Sequence, residues 1–70
     1  MSIMAFVKIG SRVKELRTRK LWTQERLAKE ADLSPRQIVR IERDEVEPRF
    51  STIGKIAEAL DVEPSTFVDN

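Results

Sequence analysis

The side chains that could do chemistry in this chain are carboxylates, lysines and arginines. Its 70 residues contain no Cys, no His and no Tyr, which excludes thiolate chemistry and removes the commonest general base and metal ligand. Carboxylates and lysines can transfer protons, but a chain this short cannot enclose them in a deep pocket. We therefore expect no catalytic residue, no metal site and no cofactor, in a protein that is not an enzyme.

The charges are distributed unevenly along the chain. Lys+Arg 13 and Asp+Glu 12 give a formal net charge of +1. Residues 1–43, however, carry 11 basic and 5 acidic side chains (+6), whereas residues 44–70 carry 2 and 7 (−5). This asymmetry indicates an anionic partner for the basic half. The alternative is two solvated faces of opposite sign that partly neutralise each other.

Apolar residues recur at helical spacing, and no segment alternates with the period of a strand. The series is Phe6, Ile9, Val13, Leu16, Leu27, Ala28, Ala31, Ile38, Ile41, Ile53, Ile56, Ala57 and Leu60. The pattern predicts an all-α fold of five helices. We expect a single domain over residues 9–70, preceded by an N-terminal extension, residues 1–8.

Capping residues mark where the predicted helices begin. The strongest signal precedes the third helix, where Ser34 is the cap, Pro35 takes the first helical position and Gln37 completes an S-x-x-Q capping box. Thr23 is the expected cap of the second helix. The other predicted bounds are a first helix from Phe6 or Ile9 to Lys20, a fourth from Phe50 or Ser51 to about Leu60, and a short fifth from Pro64.

The second and third helices are separated by a short turn. Two helices joined by three or four residues pack at a steep angle only if a small residue lies where they cross, and Ala28 is such a residue. The apolar side chains between the helices would be Leu27, Ala31, Leu33, Ile38 and Ile41. This spacing fits a helix-turn-helix, but it also fits an ordinary helical hairpin.

The stretch TQERLAKEADLSPRQIVRIER resembles the helix-turn-helix of the phage repressor and Cro (XRE-type) family. It has the family's Gln at its second place, the small Ala28, Leu33 after the turn, and Ile38 and Ile41 at the late apolar places. The likeness covers roughly residues 9–67, because RVKELRTRKLWTQ is similar to the first helix and EPRFSTIGKIAEALDVEPSTF to the fourth and fifth. It implies a compact five-helix bundle of the lambda-repressor type, with the helix-turn-helix in helices two and three.

Two positions depart from the family pattern, since Asp32 and Asp44 stand where the family usually has Gly. Both positions are expected to need left-handed backbone. That conformation costs an L-residue about 1–2 kcal/mol but is tolerated best by Asn and Asp. We expect the fold to form with a thinner margin of stability.

The resemblance implies that the third helix enters the major groove of double-stranded DNA. Arg36 and Arg40 are the predicted main base contacts, because Arg pairs bidentately with guanine. Gln37 is the third predicted base contact, through hydrogen bonds to adenine, although its capping role competes with that contact. Backbone phosphates would be bound by residues at helix starts and by flanking arginines. These are Thr23, Gln24, Ser34, Arg43 and Arg49.

Other residues are expected to support the fold. The resemblance implies a salt bridge between Arg17 and Glu42, which lie on otherwise apolar helical stripes, and Arg17 has a second candidate role as a phosphate donor. The aromatic residues Trp22, Phe50 and Phe67 are predicted to lie in the core rather than to stack on bases.

One recognition helix contacts only a few base pairs, so proteins of this type usually bind two-fold DNA sites as dimers. The resemblance places the homodimer contact around the fifth helix. The expected interface residues are Val62, Pro64, Phe67 and Val68. Residues 1–8 either extend the first helix or cover the dimer seam. We expect no small-molecule ligand.

The predicted function is sequence-specific regulation of transcription in the cytoplasm, as a repressor rather than an activator. No apolar stretch approaches the roughly 20 residues of a membrane span. The likeness extends to small phage repressors and to the controller proteins of restriction-modification systems. The rival hypothesis is a protein-interaction module of the same fold, such as an antitoxin component, which should expose apolar anchors on the third helix instead of arginines.

Overall fold

The computed structural model describes residues 9–67, which form four α-helices and a terminal 3-10 helix. The elements are α1 (Gly10–Arg19), α2 (Gln24–Ala31), α3 (Pro35–Glu42), α4 (Phe50–Leu60) and the 3-10 helix Pro64–Phe67. The described residues contain no strand, so the all-α prediction is confirmed. The predicted fifth helix is instead one turn of 3-10 helix. The expectations for residues 1–8 and for Val68 lie outside the described residues.

Two helices of the helix-turn-helix begin with the predicted side-chain caps. Thr23 Oγ1 accepts from the Arg26 N–H at 3.0 Å at the start of α2. At the start of α3, Ser34 Oγ accepts from the Gln37 N–H at 3.1 Å, and Gln37 Oε1 accepts from the Ser34 N–H at 2.9 Å. The reciprocal pair satisfies two N–H groups that a helix start would otherwise leave without partners.

All four α-helices end in the same way, although none of them ends on Gly. The residues with left-handed backbone are Leu21, Asp32, Asp44 and Asp61, with φ of 58° to 60°. In each case the next residue donates its N–H to the carbonyl five positions earlier, at 2.9–3.2 Å. This is the Schellman arrangement, which satisfies the last carbonyls of a helix. The left-handed backbone expected at Asp32 and Asp44 is confirmed, whereas Leu21 and Asp61 were not anticipated.

The core joins all four α-helices and the 3-10 helix. Its buried apolar residues are Ile9, Val13, Leu27, Ala28, Ala31, Ile38, Ile41, Ile53, Ile56, Ala57, Leu60 and Phe67. They include almost every member of the predicted periodic series. The helices of the helix-turn-helix therefore rest on one apolar cluster rather than on each other alone.

One core prediction is wrong, because Phe50 is 82% exposed. Helical spacing puts Phe50 in line with Ile53 and Ala57, which are buried. Phe50 is, however, the first residue of α4, one turn before the apolar stripe meets the other helices. Trp22 is half-buried and packs on the core, and Phe67 is buried.

Within the described part of the chain, no helix is both long enough and apolar enough to cross a membrane.

Candidate nucleic-acid interface

Helix α3 has one buried face and one exposed polar face. Ile38 and Ile41 are buried in the core, and Val39 is half-buried. The exposed residues of α3 and of its C-cap are Pro35, Arg36, Gln37, Arg40 and Arg43. Three guanidinium groups are therefore exposed on one face of α3, and the opposite face packs on the core and fixes the position of the helix.

The three arginines differ in their surroundings. Among the described residues, Arg36 has no hydrogen-bond or ion-pair partner. Arg40 Nε lies 3.8 Å from Glu45 Oε1, and Arg43 Nη1 lies 3.8 Å from Glu45 Oε2. These are long contacts between exposed groups, which hold a side chain only weakly. The guanidinium groups therefore remain able to donate to an external acceptor.

Gln37 is committed to the capping box. Because its Oε1 accepts from the Ser34 N–H, a bidentate pair with adenine, which needs both the amide oxygen and the amide nitrogen, would require the cap to open. The amide NH₂ group is the part of Gln37 that can serve an external acceptor. Gln37 was predicted both to cap α3 and to contact a base, and the hydrogen bonds of the structure are those of the cap.

The start of α2 offers backbone donors and a hydroxyl group. The first N–H groups of a helix have no acceptor inside it, and at α2 these belong to Gln24 and Glu25. The Gln24 side chain turns inward, where its Nε2 donates to Glu42 Oε1 at 3.0 Å. One of its two amide hydrogens is thereby used inside the protein. The backbone of Gln24 is better placed to bind a phosphate than its side chain.

A buried polar network connects α1, α2 and α3. Arg17 donates from Nε to Glu42 Oε2 at 2.6 Å and from Nη2 to Glu42 Oε1 at 3.0 Å. Its Nη1 donates to the carbonyl of Trp22 at 2.8 Å. The side chains of Arg17 and Glu42 are 10% and 3% exposed. Every nitrogen of this guanidinium has an internal acceptor, which favours a supporting role over phosphate binding.

Two further cations lie beside the start of α2, and the sequence analysis did not assign them. Lys20 Nζ is 5.1 Å and Arg26 Cζ is 4.7 Å from the centroid of the Trp22 ring. A ring face attracts cations at these distances, so Trp22 keeps the charge of Lys20 near the first turn of α2, whereas Arg26 also donates from Nε to Glu30 Oε2 at 3.0 Å. The sequence signal for this cluster was the spacing, with Lys20 two residues before Trp22 and Arg26 four residues after it.

Arg49 is exposed at the N-cap of α4 and lines an open groove between α3 and the start of α4. The groove also contains Gln37, Arg40 and Lys55. Glu47 lines the same groove, so positive charge continues from α3 to Arg49 and Lys55 around one carboxylate.

The residues expected at a dimer contact occupy different environments. Pro64 is exposed and Val62 is half-buried against the core. Phe67 is 3% exposed, so it would have almost no surface to offer a second copy of the chain, and it supports the 3-10 helix from inside. Arg12 Nη1 adds a link from α1 to the Thr66 carbonyl at 3.0 Å. Val68 lies outside the described residues.

The family model described as helix-turn-helix (HTH_3) matches residues 13–67. The chain belongs to this family. The match spans all of α2 to α4 and the 3-10 helix, and it confirms the resemblance to XRE-type phage repressors.

Known relatives agree with this assignment. The chain is 38% identical over 60 residues to the immunity repressor protein of Bacillus phage phi105, covering 86% of this chain and 42% of the relative. The chain thus spans less than half the length of this relative.

Two solved structures share both fold and sequence. The restriction-modification controller protein C.AhdI from Aeromonas hydrophila has a TM-score of 0.83 and 39% identity, over 87% of this chain and 92% of the other. SinR, a master regulator for biofilm formation solved in complex with DNA, has a TM-score of 0.83 and 31% identity, over 87% of this chain and 98% of the other. One of these proteins is a controller protein and the other is a master regulator.

Proposed function

We propose that this chain is a sequence-specific double-stranded DNA-binding regulator of transcription that inserts α3 into the major groove. The observation that carries the proposal is the exposed arginine face of α3, opposite a face buried in the core of a helix-turn-helix. A helix presented in this way fits the major groove, where arginine donors meet base edges. The DNA complex of SinR supports the same assignment by homology.

Arg36 and Arg40 are the base-contacting residues in this proposal. Each can donate two hydrogen bonds to O6 and N7 of guanine, and such a pair contributes about 1–3 kcal/mol of discrimination against the wrong base. Arg36 has no competing partner within residues 9–67, and Arg40 has only the long contact to Glu45. Gln37 contributes a weaker contact through its amide NH₂, because its oxygen belongs to the capping box.

Phosphate contacts orient the protein on the duplex. At the start of α2 these contacts come from the Thr23 hydroxyl and the Gln24 backbone N–H, with the positive end of the helix dipole behind them. At the start of α3 the Ser34 hydroxyl can donate while its oxygen accepts from Gln37. Arg43 and Arg49 extend the positive surface on the other side of α3.

The active form in this proposal is a homodimer on a two-fold operator. A single α3 contacts too few base pairs for useful selectivity, whereas two helices separated by about 34 Å contact successive major grooves. The surface around Val62 and Pro64 is the proposed contact between protomers. Similarity to a phage immunity repressor favours repression over activation.

A protein-interaction module of the same fold is less well supported. Such a module should place large apolar anchors on the exposed face of α3. Among the described residues, the large apolar side chains with high exposure are Leu21 and Phe50, and both lie outside α3.

Fluorescence anisotropy with a labelled duplex of random sequence tests the proposal. The slope of log K against log salt should be about −0.9 for each phosphate neutralised. A second labelled duplex carries the site that the wild-type protein enriches from random DNA. Replacing Arg36 and Arg40 together by Ala should abolish the preference for this site over random duplex. Lys29→Ala, an exposed change in the last turn of α2, serves as the control. Binding that is indifferent to salt and to the double substitution would overturn the proposal.

A further inference from the structure

The end of α3 differs from the ends of the other three α-helices in one position. After the left-handed residue, α1, α2 and α4 continue with Trp22, Leu33 and Val62, which are apolar and pack on the core. An apolar residue at this place normally seals a Schellman ending. In α3 the same place is taken by Glu45, an exposed carboxylate, and the packing contact is made one residue later by Val46.

The backbone fixes Glu45 beside the last turn of α3. Its N–H donates to the Arg40 carbonyl at 2.9 Å. From there the carboxylate spans two arginines, with Oε1 3.8 Å from Arg40 Nε and Oε2 3.8 Å from Arg43 Nη1. One acidic side chain thus faces two of the three arginines on the candidate DNA surface.

The helix itself does not favour a negative charge here. The C-terminal end of a helix carries the negative end of its dipole, which disfavours a nearby carboxylate. Glu45 is not buried and fills no gap in the core. The two arginines are therefore the partners that explain its position.

We propose that Glu45 is a positioning residue that competes with DNA phosphates for Arg40 and Arg43, and so increases discrimination between the operator and other DNA. This inference rests on the proposed function. Random duplex offers these arginines chiefly phosphates, whose charge Glu45 repels. At the operator, Arg40 can donate its two terminal nitrogens to the neutral acceptors of guanine and keep its Nε beside Glu45, so this contact need not break. Glu45 therefore weakens non-specific binding more than operator binding.

Glu45→Gln tests this inference against Glu47→Gln, a matched control. Glu47 is an exposed carboxylate in the same loop, and within residues 9–67 it forms no ion pair. Both substitutions change the net charge by the same amount. Affinity is measured by anisotropy on random duplex and on the site that the wild-type protein enriches from random DNA.

Glu45→Gln should tighten binding to random duplex roughly three- to tenfold, as expected for the release of two exposed ion pairs. Operator binding should tighten by no more than about twofold, because only Arg43 and not Arg40 meets a phosphate there, so the specificity ratio falls. The salt slope on random duplex should steepen by about 0.9 for each freed arginine that neutralises one more phosphate. Glu47→Gln should change both affinities equally and leave the slope unaltered.

Two further measurements separate the outcomes. The effect of Glu45→Gln on random duplex should disappear when Arg40 and Arg43 are both replaced by Ala. NMR relaxation of the Arg40 Nε–H group, recorded without DNA, should show greater mobility in Glu45→Gln than in Glu47→Gln. If the wild-type protein binds duplex DNA but the two variants behave alike, this inference alone is wrong. If the wild-type protein binds no duplex, the proposed function fails and this inference fails with it.

Discussion

The backbone N–H of Gly10 donates to Asp44 Oδ1 at 3.0 Å, so the residue that ends α3 also caps the start of α1. Ile9, at the N-cap of α1, supplies no side-chain cap of its own. Asp44 therefore performs two functions, since its left-handed backbone closes α3 while its carboxylate satisfies an N–H group 34 residues earlier. The first helix and the recognition helix are fixed to each other at this point.

This close approach predicts that Gly10→Ala destabilises the fold. A Cβ at position 10 would lie 2.5 Å from the Ile41 carbonyl oxygen and 2.6 Å from that of Glu42, so the backbones must move apart. We expect a loss of about 1–3 kcal/mol in the free energy of unfolding, measured by urea denaturation. Gly54→Ala is the control. Its Cβ would meet nothing within 4 Å, and it should stabilise α4 by about 0.5–1 kcal/mol. Equal effects of the two substitutions would contradict the close packing.

Leu21 is strained without any gain in packing, because it combines a φ of 60° with 91% exposure. Leu21→Gly should raise the free energy of unfolding by about 0.5–1 kcal/mol, since Gly adopts left-handed backbone without the Cβ penalty. Leu21→Ala removes most of the side chain but keeps the Cβ, so it should give no such gain. Thermal denaturation followed by circular dichroism distinguishes the two variants. An equal gain in stability from both would mean that the exposed side chain, and not the Cβ, destabilises the wild-type protein.

The buried pair predicts a large loss when one partner is removed. Arg17→Met leaves the Glu42 carboxylate buried with only Gln24 as a donor, at a cost of about 3–5 kcal/mol. That cost matches the whole stability of about 3–5 kcal/mol expected for a core of this size, so the variant should be largely unfolded. Arg17→Met with Glu42→Leu removes both charges and should recover most of the helical circular dichroism signal. If the double variant were as unfolded as the single one, the stranded charge would not be the cause.

The two phenylalanines should respond in opposite ways to truncation. Phe67→Ala removes a side chain that is 3% exposed and should cost about 3–5 kcal/mol. Phe50→Ala changes a side chain that is 82% exposed and should alter stability by less than about 0.5 kcal/mol. The helical circular dichroism signal should be largely lost in Phe67→Ala, whereas urea denaturation of Phe50→Ala should give a midpoint close to that of the wild-type protein. A large loss from Phe50→Ala would mean that the side chain has a packing partner in solution.

Features that depend on neighbours in sequence were predictable. The caps at Thr23 and Ser34 follow from side chains that bond within three residues of themselves. The core followed from helical periodicity, since apolar residues at that spacing can be buried only on one side of a helix. The left-handed Asp32 and Asp44 followed from the short turns that the family pattern demands.

Features that depend on distant contacts were not predictable. Nothing near Gly10 in sequence indicates the carboxylate of Asp44, and spacing cannot show that Phe50 lies beyond the edge of the core. The inward turn of the Gln24 side chain depends on Glu42, which is 18 positions away. The left-handed backbone of Leu21 was not predicted, because Gly, Asn and Asp are the residues that usually adopt this conformation. The helices and their caps could thus be predicted from residues close together in the sequence. The orientation of the candidate contact residues could not, because it depends on contacts between residues far apart in the sequence.

Selection of duplexes from random DNA by the wild-type protein, followed by sequencing, shows whether the protein recognises a specific site. We expect a two-fold-related site with guanine in each half-site, and half-site centres about 34 Å apart, one helical turn of DNA. In parallel, a protein carrying Arg36→Ala and Arg40→Ala should enrich no such site while retaining its helical circular dichroism. Failure of the wild-type protein to enrich any sequence would contradict sequence-specific binding, and enrichment of the same site by the double variant would contradict base contacts by Arg36 and Arg40.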